Sequence, residues 1–455
     1  MIHIKSLSKF ERMFAMKSET VSRFFRAAVL PALLLTPLAA HAQVKPVEIE
    51  SSKGVKAYLV EDYTLPMVTI RFSMDGGQAQ DPKGKEGLVS LMTSTLDEGA
   101  GDLDREAFVE ALDKAGADIS FSAGQDTISG SMRFLTEKQV EATDLLTKAV
   151  NAPRFDEVPV ERVRGLTIER LRAQSRDPQY LAQIKWQEAF FGDHPYAIPT
   201  TEETILRVTR DDLRQAHKKM FARDKLYVGI VGAIDQEGAK RLLDRVFGDL
   251  PEKSQLTPVP EVKGKYDQTV HQVYPLPQTS IMLSYPADNS DDPKIELTQA
   301  LLTQILGGDM NSRLFVEVRE KRGLAYGANM GSQFLDHFAG TVVTTATKSE
   351  SASEALEVIE AEIGRAVKDG VTEAELASAK TYLAGSIPIS RFSSSSAIAS
   401  TLVDIQRDEL GIDFFDSRFE PLLNSITREE VNAMGKRLFS TKPAILLIGP
   451  ENGKS

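Results

Sequence analysis

The chain has 455 residues, 42% hydrophobic and 26% charged, which is too long for one hydrophobic core and predicts two globular domains of roughly 200 residues each. Its formal net charge of −11 argues against nucleic acid and anionic lipid as partners, because both are held by Lys and Arg. The absence of cysteine excludes disulfides, thiolate metal sites and cysteine nucleophiles.

The first segment reads as an export signal. Lys17, Arg23 and Arg26 precede a short apolar run from Ala27 to Ala40, and "AHA" at Ala40–Ala42 has the small-residue pattern of a cleavage site. The expectation is a signal peptide over 1–42, a mature chain beginning near Gln43 and a periplasmic location, with Met16 as an alternative start. Residues 1–42 hold six Lys/Arg and two Asp/Glu, a net +4, so the remainder stands at −15. Outside the N-terminus no run of about 20 apolar residues occurs, which excludes a multi-span membrane protein and leaves no membrane attachment after cleavage.

The next elements alternate strand and helix. "VTIRFSMDGG" from Val68 has the period of a strand. "EGLVSLMTSTLDEG", Glu86 to Gly99, reads as a helix in which Ser90, Thr93 and Ser94 fall among Leu88, Leu91, Met92 and Leu96. Hydroxyl side chains are poor Zn²⁺ ligands and are not bases near neutral pH. A second helix follows at "FVEALDKAG" from Phe108. A further one at "TRDDLRQAHKKMF" from Thr209 leads into the strand-like "LYVGIVG".

The chain then repeats itself. "TSIMLSYPA" from Thr279 is the second strand of this type, and "PKIELTQALLTQILGG" the second helix. "FVEVREKRG" at Phe315 matches the Phe108 segment without a gap. "TREEVNAMGKRLF" at Thr427 matches the Thr209 segment and precedes the strand-like "AILLIGP". Two gapless matches in the same order indicate a duplicated domain. Between them, "SQLTPVPEVKGK" (Ser254–Lys265) suits an extended linker. The expected organisation is a domain over 47–255, a linker over 256–262 and a second domain over 263–455. The fold class is α+β, each domain a mostly antiparallel sheet with packed helices. "ASEALEVIEAEIGRAV" from Ala352 has helical spacing, and "SRFSSSSAIAS" reads as a helix start.

Other chemistries find little support. Beyond residue 42 the histidines are His194, His217, His271 and His337, with no close pairing; His194 in "DHPY" is expected to order a loop. No G-x-S-x-G elbow is present. "GLAYG" and "ILGGDMNSR" lack the lysine and the spacing of nucleotide loops.

The duplicated layout resembles the pitrilysin/insulinase family of zinc metallopeptidases, the inverzincins, whose metal motif is H-x-x-E-H. The resemblance is carried by "GGQAQDPKGKEGLVSLMTSTLDEG", by "FFGDHPYAIPTTEETILRVTRDDL" and most specifically by "LGGDMNSRLFVEVREKRGLAYGANMG". It implies that Ser90, Thr93 and Ser94 stand where the family has His, Glu and His, so this chain is expected to bind no zinc. Glu169 falls roughly where the family's third ligand sits, and its ordinary reading is a solvated or ion-paired helix residue. It also implies that Arg319 and Tyr326, seven apart in "REKRGLAY", are the substrate-contacting pair, able to donate to an oxyanion or a neighbouring carbonyl. The plain alternative is that Arg319 pairs with an acid and Tyr326 packs at a strand start. The expectation is a zinc-free subunit of an exported heterodimeric peptidase acting on peptides or unfolded polypeptides, with zinc in a homologous partner. A non-catalytic scaffold or peptide-binding homologue is the alternative.

Overall fold

The computed structural model describes residues 45–451; the signal-peptide segment lies outside them. The first copy contains β1 (Val47–Glu50), β2 (Lys56–Glu61), β3 (Met67–Asp75), α1 (Leu88–Thr93), α2 (Arg105–Ala115), β4 (Asp118–Ala123) and β5 (Thr127–Leu135). It continues with α3 (Gln139–Asn151), α4 (Glu157–Gln174), α5 (Pro178–Phe191), α6 (Glu202–Leu206), α7 (Arg210–Met220), β6 (Leu226–Gly232) and α8 (Gln236–Phe247). The second copy contains β7 (Gln268–Val273), β8 (Gln278–Pro286), α9 (Pro293–Gly307), α10 (Arg313–Phe315), β9 (Ala325–Leu335) and β10 (Phe338–Lys348). It ends with α11 (Ala352–Asp369), α12 (Glu373–Arg391), α13 (Ser395–Arg407), α14 (Phe419–Ser425), α15 (Arg428–Leu438) and β11 (Ala444–Gly449).

The sheets repeat one topology. The first runs β1-β2-β6-β3-β5-β4 and the second β7-β11-β8-β10-β9, so among the described residues the second sheet lacks a counterpart of β1. In each, one pair is parallel (β2 with β6, β7 with β11) and the remaining neighbours are antiparallel. The local signals repeat as well. Thr209 with Asp212 and Thr427 with Glu430 form capping boxes on α7 and α15. Phe221 and Phe439 are buried just beyond those helices. Gly116 and Gly323, which close the other gapless match, both take the left-handed conformation.

One face of each sheet packs on its own helices: Phe72, Phe108, Phe134 and Phe247 lie in the first core, and Leu283, Leu301, Val343 and Ile359 in the second. A helix of the opposite copy packs on the other face of each sheet. Trp186 and Phe190 of α5 join Phe338, Ala444, Leu446 and Ile448 of the second sheet. Ala399, Leu402 and Ile405 of α13 join Val60 and Val231 of the first. Gly229 on β6 permits the latter contact, since a Cβ there would stand 2.3 Å from the Ala399 carbonyl oxygen. Gln406 of α13 also bonds both the N–H and the carbonyl of Val228 on β6. The segment over 254–265 has no helix or strand and is tethered: Thr257 exchanges hydrogen bonds with Gln80, and Glu261 pairs with His337 at 2.9 Å.

The two equivalent hairpins meet end to end. Asp126, at the β4–β5 turn, accepts from the Tyr196 hydroxyl at 2.6 Å and from the Asp336 N–H at 3.1 Å in the β9–β10 turn. Arg407 on α13 holds the Asp336 carboxylate at 2.5 Å.

Gly229→Ala is expected to lower stability by about 1–3 kcal/mol by forcing α13 off β6. Gly331→Ala on β9 meets no atom within 4 Å and is expected to stay within about 0.5 kcal/mol of the parent. Urea denaturation of both variants checks this.

Candidate functional site

The segment read as a helix over Glu86–Gly99 is helical only over Leu88–Thr93. Its last carbonyls are taken by hydroxyls. Thr93 Oγ1 donates to Val89 and Ser90 carbonyls, both at 3.1 Å, and Thr95 Oγ1 to Leu91 and Met92 at 2.8 and 2.9 Å. Such back-bonding competes with the helix ladder, and the chain turns away at Ser94. Gly87 enters α1 with φ 98°, and a Cβ there would clash with Thr200 and Ile205. Asp81 caps the helix, accepting from Gly87 N at 2.7 Å and Val89 N at 2.8 Å.

Ser90 is half-buried, Thr93 buried and Ser94 exposed. They do not form a donor set that fits zinc: the Thr93 hydroxyl is spent on backbone, and hydroxyls bind Zn²⁺ poorly. Glu169 is an exposed residue of α4 paired with Arg172 at 3.0 Å. Among the described residues no three His, Cys, Asp or Glu side chains gather in a way that could hold a metal ion. His194 orders its loop, with Nε2 at 2.8 Å from the Pro260 carbonyl and Nδ1 accepting from Tyr196 N. His217 is bonded to the Val150 carbonyl, and burial holds its pKa below the usual value.

Arg319 and Tyr326 are brought together by two irregularities. The α10 helix runs into a π-helical turn over Val316–Glu320, a geometry frequent at functional sites. Buried Glu317 anchors the turn through Lys321 at 2.5 Å and through Arg322, and these bonds hold its carboxyl below the usual range. On β9 the pairing with β10 slips: Ala325 faces Thr347 and Ala328 faces Thr345. Tyr326 and Gly327 therefore oppose the single residue Ala346, which is a β-bulge that re-aims the tyrosine. Three side chains fix this region. Arg319 Nη1 donates to the Tyr326 carbonyl at 2.8 Å, Thr345 Oγ1 to Gly327 at 2.7 Å and Thr347 Oγ1 to Leu324 at 2.6 Å.

Arg319 thus has no acidic partner among the described residues. Its guanidinium lies 5.0 Å from the Phe315 ring centroid and 5.7 Å from that of Tyr326. Tyr326 is 85% exposed rather than packed. It stands at the mouth of an open cleft of about 630 Å³, floored by Met282, Ala346, Leu446 and Ile448. Gln179 and Gln183 of α5, from the first copy, form one wall. No hydrogen bond among the described residues joins this pair to Ser90, Thr93 or Ser94. The sequence reading missed Thr345, Thr347, Phe315 and the two glutamines. The threonines stand in a strand with no motif, and the glutamines lie more than 130 positions from Arg319.

Residues 207–383 match the family described as the peptidase M16 inactive domain. The Non-peptidase homolog YmxG of Helicobacter pylori is 27% identical over 360 residues, covering 78% of this chain and 82% of its own length. The Uncharacterized zinc protease YmxG of Bacillus subtilis is 23% identical over 401 residues, covering 87% and 96%. Among solved structures, a peptidase M16 inactive domain from Pseudomonas fluorescens superposes with a TM-score of 0.81 at 27% identity, covering 90% of this chain and 98% of that one. The periplasmic protease PqqL of Escherichia coli shares the fold (TM-score 0.76, 17% identity), with 94% of this chain matching 49% of that one.

Burial pushes the Asp81 carboxyl up to about 7 despite its two backbone donors. The folded chain then binds a proton that the unfolded chain, with a carboxyl near 3.9, does not bind between about pH 4 and 7. This group's contribution to stability is present at pH 4 and lost as pH rises through 7. Between pH 5 and 7.5 the parent is expected to lose roughly 1–3 kcal/mol more stability than Asp81→Asn, measured by urea denaturation at both pH values.

Proposed function

We propose that this chain, whose residues 207–383 match the peptidase M16 inactive domain, is the zinc-free, substrate-contacting subunit of an exported heterodimeric peptidase. The observation that carries this reading is the Tyr326 bulge: an exposed phenol, braced by Arg319, at the mouth of a cleft in a chain whose α1 offers no metal ligands. A pure scaffold needs no tyrosine aimed outward by a bulge with three side chains bonded around it.

In this reading the hydrolytic metal belongs to a homologous partner, and this chain's residues act on the peptide. The Tyr326 hydroxyl donates to the substrate carbonyl oxygen as it gains negative charge, and the Arg319 guanidinium supplies positive potential beside it while bracing the bulge. The N-terminal signal pattern supports export, with cleavage near Ala42–Gln43. The second reading, a non-catalytic scaffold or peptide binder, is favoured by the printed description of the H. pylori relative as a non-peptidase homologue.

Purified alone and dialysed, the chain is expected to hold no stoichiometric zinc and to cut no peptide; metal analysis beside a peptide digest checks both. In the assembled pair, Tyr326→Phe is expected to lower kcat by about 10²–10³ with assembly and partner zinc unchanged. Arg319→Ala is expected to lower it as well and to weaken peptide binding. Full activity in both variants would identify the chain as a scaffold.

A further inference from the structure

The cleft beside Tyr326 is distinguished by what its walls lack. Among the described residues none that lines it is charged, in a chain where 26% of residues are. The other large clefts are different. One carries Asp75, Lys225, Asp336 and Arg407, and another Glu296, Arg391, Asp404 and Asp408. The uncharged floor is one face of the second sheet. Met282 on β8, Ala346 on β10, and Leu446 and Ile448 on β11 share this face by strand alternation, while Leu283 and Val343 point to the opposite, buried face.

This face is open because the helix exchange is unequal. Helix α13 lies across β2, β3 and β6 of the first sheet, whereas α5 lies mainly over β7 and β11 of the second. The equivalent of the β3 face, on β8 and β10, therefore stays uncovered. Around the apolar floor stand neutral hydrogen-bonding groups, Gln179, Gln183, Ser280, Asn329 and Thr344, suited to peptide N–H and carbonyl groups. The volume of about 630 Å³ falls within the usual span of ligand sites, about 300–1,000 Å³.

We propose that this cleft is a specificity site that seats an extended peptide segment with uncharged, apolar side chains and rejects Lys, Arg, Asp and Glu there. The proposal rests on the peptide-contacting role argued above and adds the class of residue selected. A charged side chain entering the cleft loses hydration and meets no charged group among the described residues that line it, Arg319 standing outside the lining behind the Phe315 and Tyr326 rings, so discrimination comes mainly from desolvation.

The test uses the full chain without any partner and three fluorescent nine-residue peptides differing at the centre: Val-Phe-Leu, Val-Lys-Leu and Val-Glu-Leu. Fluorescence anisotropy is expected to show the Phe peptide binding about tenfold more tightly than either charged one. Ala346 is exposed on the cleft floor, so Ala346→Glu is expected to keep the fold, checked by circular dichroism. That variant is expected to weaken the Phe peptide about tenfold and to favour the Lys peptide over the Glu peptide. Equal binding of all three peptides, or an unchanged ranking in Ala346→Glu, overturns the proposal. Because no cleavage is read, the result is separable from the partner reading. Selective binding beside fully active Tyr326→Phe and Arg319→Ala pairs removes the catalytic role and keeps this site. Unselective binding with reduced turnover does the reverse.

Discussion

Neither sheet of this protein can be covered by its own copy of the domain. Each copy supplies helices for one sheet face and sends a further helix, α5 or α13, across to the other copy's sheet. The exchange buries large surfaces: Trp186 and Phe190 stack at 4.9 Å, and Phe338 of the second copy meets Phe190 and Phe191 edge-on at 5.8 and 4.9 Å. Burying one such ring is worth roughly 1.5–3 kcal/mol, and aromatic pairs add about 0.5–1.5 kcal/mol each. Separating the copies would expose both second faces together, so the two halves are expected to unfold as one unit. The paired hairpin tips, with Tyr196 and Asp126 facing Asp336, give the same association its directional hydrogen bonds.

The inequality of that exchange separates a structural sheet from a surface available to ligands. Gly229 lets α13 settle onto the centre of the first sheet, and Gln406 satisfies the backbone of Val228. In the second copy, α5 stops over β7 and β11 and leaves the cleft whose wall it forms. One copy thus has a covered sheet and a short α1. The other has an open sheet face, a π turn and a bulge. A π turn and a bulge meet where an exposed aromatic and a cation are held together. Irregular backbone is retained where it orients a side chain, because regular pairing would return Tyr326 to the strand's alternation.

Helix α1 falls on the packing side of the same division. Ser90, Thr93 and Ser94 bring no ligand, and the Thr93 hydroxyl helps to end the helix after one and a half turns. Helix α1 serves packing: Leu88, Leu91 and Met92 lie in the first core and fix the loop that Asp81 caps.

The sequence by itself determined what is local or repeated. The gapless matches at Phe108/Phe315 and Thr209/Thr427 carry the capping boxes and left-handed glycines that start and end helices, so the duplicated α+β layout was legible from them. Ser90, Thr93, Ser94, Arg319 and Tyr326 were singled out through the family resemblance of their short segments; the structure adds the neighbours of each. Tertiary structure decided the rest. The length of α1 depended on hydroxyl back-bonding that periodicity does not register. The bulge appears only when β9 is set beside β10, since a one-residue slip is a property of the pair and not of either strand. The cleft depends on α5 crossing to the other copy, which no local pattern encodes: an amphipathic helix records that it has an apolar face, not which sheet will cover it.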